Sequence, residues 1–241
     1  MNFFKSLLKK MAYGYTYNSK SYIHYLKQHG ANIGDDVNLF HVRQCHIDAT
    51  NPHLINIGNH VNITGACILT HDYSWCVIKG INGEILGNQK PVNIGNNVFI
   101  GYGTVVLGGS VIGDNVIIGA NSLVCSSLES NSVYAGVPAK RICDISTYIE
   151  KRHNAQISEA VNFVKSYEKA HHHSPPEEAL HEYFFLFSDN NIESTVFKDK
   201  LLLCDNYDLS VEYLSSHKPV FPDYKSFLEF CDSNNEFSNM K

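Results

Sequence analysis

Residues 92–124 read VNIGNNVFIGYGTVVLGGSVIGDNVIIGANSLV. Counted in sixes, aliphatic side chains recur at Ile94, Ile100, Val106, Ile112, Ile118 and Val124. Glycine follows at Gly95, Gly101, Gly113 and Gly119, with Leu107 and Cys125 breaking the run. Four places after each aliphatic residue stands a small or β-branched one: Val98, Thr104, Ser110, Val116 and Ser122. A spacing of six fits neither a helical face nor simple strand alternation. It also fits poorly with a sandwich, whose turns fall about 8–12 residues apart. It suits a short strand plus a corner, three of which close one triangular coil. The aliphatic residue then points inward and stacks from coil to coil at about 4.8 Å. Gly, Asn and Asp after it (GDD, GNH, GNN, GDN) tolerate the tight or left-handed corners this path needs.

Upstream, the same frame continues through Ile33-Gly34, Leu39, Cys45, Ile57-Gly58, Ile63 and Leu69. One coil cannot bury its inner face alone. Residues 31–70 and 93–141, at about 18 per coil, predict a mainly β parallel helix of about five coils. The frame is interrupted once, because Ile94 stands 25 positions after Leu69. The segment 71–92 is expected as a loop thrown out of the coil, with a small hairpin about Gly80-Ile81-Asn82-Gly83. Long excursions from a compact repeat usually carry function.

The flanks differ from the repeat. Tyr22, Tyr25, Leu26 and His29 lie at helical spacing before Gly30, so 1–30 is expected to be a helical cap on the first coil. At the very start, Phe3, Phe4, Leu7 and Leu8 oppose Lys5, Lys9 and Lys10, a weakly amphipathic helix expected to pack on its own protein or oligomer. Beyond the repeat domain of 31–142, residues 143–241 read as a helical extension. Ile157, Ala160, Val161, Val164 and Tyr167 form one stripe. Ser174-Pro175-Pro176-Glu177 reads as a capping box opening a helix through Phe187, and Phe227, Leu228 and Cys231 mark a short last helix. His171-His172-His173 reads as a solvated linker.

Composition narrows the function. The chain has 241 residues, a net charge of −5 and 44% hydrophobic residues. That excludes a mostly disordered chain and offers no basic field for nucleic acid. No apolar run approaches the ~20 residues of a membrane span, and the start lacks a signal peptide's apolar core and cleavage site. Seven cysteines, none in CxxC, read as reduced thiols. Together these predict a cytoplasmic protein.

His71 opens the excursion, directly after Ala66-Cys67-Ile68-Leu69-Thr70. There it has rigid coil on one side and the loop on the other. Imidazole is a good general base for a hydroxyl or amine nucleophile, although on position alone an ordinary surface-loop histidine is the competing reading.

The hexapeptide run, the excursion beginning ILTHDYSW and the ending NSVYAGVPAKRI resemble the hexapeptide-repeat acyltransferases. The nearest resemblance is to the surface-polysaccharide (capsule and O-antigen) O-acetyltransferases and the galactoside and maltose acetyltransferases. It covers about 31–142. It implies a left-handed coil and assigns His71 as the catalytic base of direct transfer from acetyl-CoA to a sugar hydroxyl, with no metal. It also implies a homotrimer with the cofactor along a groove between subunits. Carried over by position, Gly101, Tyr102, Gly119, Ala120, Cys125 and Ser126 would line that groove, and Lys140 and Arg141 would meet the CoA phosphates. Phe99 stands where many relatives have tryptophan, and Cys125-Ser126 where many have threonine-lysine, which weakens the phosphate clamp. Asp72, Tyr73 and Trp75 are candidates for the sugar acceptor, with Asp48 one coil earlier as a further one; Trp75 as a hydrophobic anchor of the loop is the alternative.

Other readings of the same fold are an N-acetyltransferase of a nucleotide-linked amino sugar or small amine, and a γ-type carbonic anhydrase, for which His41 and His46 are five apart but lack a third histidine at the required interval. A non-catalytic spacer is the last alternative, and the His71 loop speaks against it.

Overall fold

The six-residue frame becomes a three-sided parallel coil in the computed structural model, which describes residues 3–188 and 197–233, with side chains from residue 8 onward. Every third strand returns to the same face. One face stacks Asn32–Ile33, Ile55–Ile57, Val92–Ile94, Val111–Ile112 and Ser127–Leu128. A second stacks Asn38–Phe40, Asn62–Thr64, Val98–Ile100, Val116–Ile118 and Ser132–Ala135, and Lys140–Asp144 closes it as an antiparallel edge. The third has four strands: His46–Ile47, Cys67–Ile68, Val105–Val106 and Leu123–Val124.

Parallel register puts like positions on top of each other. Ile33, Ile57, Ile94, Ile112 and Leu128 form one buried column. Leu39, Ile63, Ile100, Ile118 and Tyr134 form the second, and Ile47, Ile68, Val106 and Val124 the third. Each such aliphatic side chain contributes on the order of 1.5–3 kcal/mol by leaving water. The upstream frame needs correcting here. Ile68, not Leu69, enters the column, and Ile47 takes the place expected of Cys45. A 3₁₀ turn at Val42–Gln44 lengthens the first coil's path to its third face, and the next coil makes the same crossing in five residues, from Ile63 to Ile68.

The corners divide their labour differently from the sequence expectation. At one corner the left-handed residues are Asp36, His60, Asn97, Asn115 and Asn131, with φ between 53° and 57°. The glycines two places before the first four of these have ordinary φ; they are needed for close approach between coils. A β-carbon on Gly95 would lie 2.6 Å from Asp114 Oδ1 and 2.8 Å from the Gly113 carbonyl carbon. That space is taken by a ladder. The Asp35 N–H donates to Asn59 Oδ1, the Asn59 N–H to Asn96 Oδ1, the Asn96 N–H to Asp114 Oδ1 and the Asp114 N–H to Ser130 Oγ. Gly95→Ala is therefore expected to lower stability by about 1–3 kcal/mol through overpacking, read as a lower midpoint in thermal unfolding.

Helix α1 (Phe3–Tyr13) and α2 (Ser19–Gln28) precede the coil. α2 buries Tyr22 and Leu26, and the Tyr22 hydroxyl exchanges hydrogen bonds with the Ile47 carbonyl and N–H. The facing set expected from Phe3, Phe4, Lys5 and Leu7 lies on side chains outside those described. The excursion also differs from expectation. His71–Asp72 pairs antiparallel with Asn88–Gln89, and between them runs a helix, α3 (Trp75–Asn82), instead of a tight hairpin. Asp72 Oδ1 accepts the Ser74 N–H to open that helix, and Gly83, at φ +84°, ends it.

The chain divides into two compact units, Met1–Tyr148 and Ile149–Lys241. Helix α4 (Ile145–His171) is followed by α5 (Lys198–Leu201), α6 (Tyr207–Ser216) and α7 (Tyr224–Ser233). Within the second unit Ala160, Val161 and Val164 pack with Phe184, Phe187, Phe197 and Phe227. The helix expected from the Ser174 box does not form. Short 3₁₀ turns occupy Glu177–Leu180 and Phe184–Leu186, and the Ser174 hydroxyl donates back to Glu168. No helix among the described residues is long and apolar enough to cross a membrane.

Candidate active site

The excursion leaves the third face after Cys67–Ile68, and its neck is closed by the Lys90 N–H, which donates to the Thr70 carbonyl at 2.8 Å. Thr70 is fully buried and fixes the exit direction. His71 follows with only 14% of its side chain exposed, opening on a cavity of about 130 Å³ that Asn88, Lys90, Leu107 and Gly108 complete.

Beneath His71 stands Asp48, brought there by the parallel pairing of Ile47 with Ile68. Asp48 is 3% exposed. Its Oδ1 accepts the Thr50 N–H at 2.9 Å; its Oδ2 accepts the Thr70 N–H at 3.1 Å, the Thr70 hydroxyl at 2.5 Å and His71 Nδ1 at 2.6 Å. Burial pushes this carboxyl's pKa up. The hydrogen bonds from the Thr70 hydroxyl, Thr50 N–H, His71 and Thr70 N–H outweigh that and hold it well below the usual carboxylate range. A carboxylate only accepts, so His71 Nδ1 carries a proton, and a ring with that single proton keeps its lone pair on Nε2. This corrects the expectation that Asp48 binds the acceptor, since both its oxygens are consumed inside the protein.

The other acceptor candidates fall on the loop. Asp72 is exposed, but its Oδ1 takes the Ser74 N–H and its Oδ2 the Asn88 amide at 2.5 Å. Hydrogen bonds from Ser74 and Asn88 hold its pKa down. Its side chain thus fastens the loop as well as facing solvent. Tyr73, 63% exposed, stands edge-on to His71 at 5.2 Å and to Trp75 at 6.1 Å. The Tyr73 ring thus stands beside the base, with Trp75 next to Tyr73. Cys67 is a poor nucleophile: burial first, then the Asp48 charge, raises its thiol pKa.

The cofactor candidates occupy two different corners of the coil. Gly101 and Gly119 stack directly, the Gly101 N–H donating to the Ile118 carbonyl, and a β-carbon on Gly101 would lie 2.6 Å from the Ala120 nitrogen. Tyr102 lies across the corner against Gly65, whose added β-carbon would meet its ring at 2.7 Å. Cys125 and Ser126, both exposed, lie on the corner that His71 leaves, because Ile68, Val106 and Val124 share one column. Lys140 and Arg141 are neighbours on the antiparallel edge strand, so their side chains face opposite ways. Arg141 Nε donates to Ser132 Oγ at 3.1 Å, and its guanidinium pairs with Asp144. Arg141 is thus engaged within its own chain, contrary to the expected two-residue clamp, and Lys140 is left as the candidate for a phosphate. His41 and His46 are exposed, and among the described residues neither joins a group of three metal-ligating side chains.

Sequence reasoning missed Thr70, Asn88, Lys90, Leu107 and Gly108. The frame offered a signal for the last two, since Leu107-Gly108 breaks the aliphatic-glycine pattern at the level of His71.

Residues 91–126 match the family model of the bacterial transferase hexapeptide (six repeats). Protein CapG of Staphylococcus aureus is 36% identical over 140 residues, covering 57% of this chain and 80% of CapG. The chain belongs to the hexapeptide-repeat transferases. The galactoside O-acetyltransferase of Escherichia coli (strain K12) is 47% identical over 64 residues, 27% of this chain and 30% of that one, so the chain spans less than a third of that relative. Among solved structures, a maltose O-acetyltransferase from Clostridium difficile 630 aligns over 52% of this chain and 75% of its own, with 25% identity and a TM-score of 0.42.

Proposed function

We propose that this transferase is an acetyl-CoA-dependent O-acetyltransferase acting on a sugar hydroxyl of a surface polysaccharide or its precursor. The observation that carries the reading is His71 held through Nδ1 by buried Asp48, with Nε2 left to act at the mouth of a cavity. The acceptor hydroxyl oxygen attacks the thioester carbonyl carbon while its proton passes to His71 Nε2. The tetrahedral intermediate then expels the sulfur, and the same proton goes to the departing thiolate. Asp48 keeps the ring in the one tautomer that can do this and stabilises the imidazolium between the two steps. Named relatives among the comparisons, the galactoside O-acetyltransferase included, are acetyltransferases. We further read the coil as left-handed with about five turns, capped by α1 and α2, with a helical unit from α4 onward, in a cytoplasmic protein.

A homotrimer completes the site in this proposal. The cofactor candidates lie on separate corners of one prism, so a ligand touching Gly101 and Tyr102 on one corner and Ser126 on another draws them from neighbouring subunits. Exposed Val77, Ile81, Ile85 and Leu86 on the excursion support an interface there.

The test is transfer of labelled acetyl groups from acetyl-CoA to a panel of mono- and oligosaccharides by the purified protein. Transfer to sugar hydroxyls supports the reading; transfer only to amines moves it to the N-acetyltransferase alternative. Within this assay Lys140→Ala is expected to raise the apparent KM for acetyl-CoA by about threefold, an effect that shrinks with added salt. Arg141→Ala should leave that KM unchanged and lower thermal stability.

A further inference from the structure

A second cavity, of about 720 Å³, lies within the first unit between the end of α1 and the first-coil turn. Lys9, Tyr13, Tyr17, Phe40, His41 and Arg43 contribute to its wall, and no Asp or Glu does. Among the described residues neither Lys9 nor Arg43 has a carboxylate partner, in a chain whose net charge is −5. Arg43 is nonetheless fixed in place. Its Nη1 donates to the Tyr13 hydroxyl at 3.1 Å, and its guanidinium carbon stands 5.0 Å from the Tyr13 ring centre. A guanidinium has five N–H donors in a planar fork, so most of this one is available to a ligand.

His41 adds a ring to the same wall. At this corner the later coils place Gly65, Gly103 and Asn121 in the left-handed region, residues suited to it. The first coil uses His41 there, at φ 51°, with its ring edge-on to Tyr102 at 6.1 Å. The cavity volume lies in the range of small-ligand sites.

We propose that this cavity binds a carboxylate-bearing sugar ring, an acidic residue of the acceptor saccharide lying apart from the hydroxyl that is acetylated. Arg43 and Lys9 meet the carboxylate and the tyrosine rings offer apolar faces to the sugar. The inference rests on the reading of the acceptor as a saccharide and names its chemical class.

The test is direct binding, which is independent of turnover. Saturation-transfer NMR and calorimetry on the full chain compare a hyaluronan tetrasaccharide, which carries glucuronate, with neutral chitotetraose. The acidic tetrasaccharide is expected to bind, more weakly as salt rises, and the neutral one not to. Arg43→Gln should weaken binding about tenfold, as loss of one charge-assisted contact does. Lys9→Gln, on an exposed site whose loss cannot unfold the chain, should weaken it about threefold. His71→Ala should bind as the wild type does. Equal binding of both tetrasaccharides, no binding of the acidic one, or indifference to both cation variants overturns the proposal. So does displacement of the saccharide by 3′,5′-ADP, which would assign the cavity to the nucleotide end of CoA. If the acidic saccharide binds through Arg43 while no sugar is acetylated, the site stands and the acetyl-transfer reading falls.

Discussion

Replacing His71 by alanine is expected to lower the turnover number by about 10²–10⁴-fold, the usual consequence of losing a general base. The KM for acetyl-CoA should change little, because the imidazole is assigned to the acceptor proton and not to the cofactor. The fold should survive. His71 lends only its side chain at the loop neck, while the neck itself is closed by backbone, Lys90 to Thr70. Stopped assays of CoA release at saturating acetyl-CoA, with thermal unfolding as the control, separate the two effects. A variant that keeps the wild-type rate would place the base elsewhere and leave the Asp48–His71 pair a structural brace.

Much of this architecture is legible in the chain because a repeat states the same physics many times. Ile94, Ile100, Val106, Ile112 and Ile118 each have one neighbour above and one below in the column, while Val124 ends its own. The frame failed where path length varied. Nothing in the sequence around Cys45 distinguishes an inward residue from one carried past the corner by a 3₁₀ turn, so the frame points to Cys45 where Ile47 stacks. The excursion was found by the absence of pattern, which says where the chain leaves the coil and nothing about what it does outside; α3 followed from Asp72 and Ser74 making a local turn that the Gly80–Gly83 signal obscured.

The site shows the same division. His71 stands out because it sits at the break. Asp48 was visible as a carboxylate one coil earlier, but its partner depended on a register of 47 against 68 that the strict frame put one or two residues out. Once that register is given, the role is fixed by distance: a buried carboxylate surrounded by four donors cannot also hold a sugar. Lys140 and Arg141 illustrate the converse. Adjacent cations look like one clamp in a sequence, whereas on a strand they point to opposite sides, and Ser132 and Asp144 claim the second.

Asp48→Asn tests that partnership and carries a pH signature. Three of the four donors converge on Oδ2 and only the Thr50 N–H reaches Oδ1. The least disruptive placement of the amide therefore puts its NH₂ toward Thr50, where two donors face each other, and keeps a neutral oxygen on Thr70 and His71. His71 stays in its tautomer but loses the charge that stabilises its protonated form. Hydrogen bonds to charged groups exceed neutral ones by about 1–2 kcal/mol, so the turnover number should fall on the order of tenfold, with unchanged KM for acetyl-CoA. The amide NH₂ set against the Thr50 N–H, at a part-buried contact, should lower stability by about 0.5–1.5 kcal/mol. The acid limb supplies a readout that a mere loss of packing would not move. Because the folded carboxyl titrates below its unfolded value of about 3.9, its stabilisation is complete above that pH and is lost as pH falls through it toward the folded value. Unfolding free energies measured from pH 6 down to about pH 3 should therefore decline more steeply in the wild type than in Asp48→Asn, and the two curves should converge in acid. Parallel curves would mean that Asp48 is not held ionised by its partners, and the orientation assigned to His71 would lose its support.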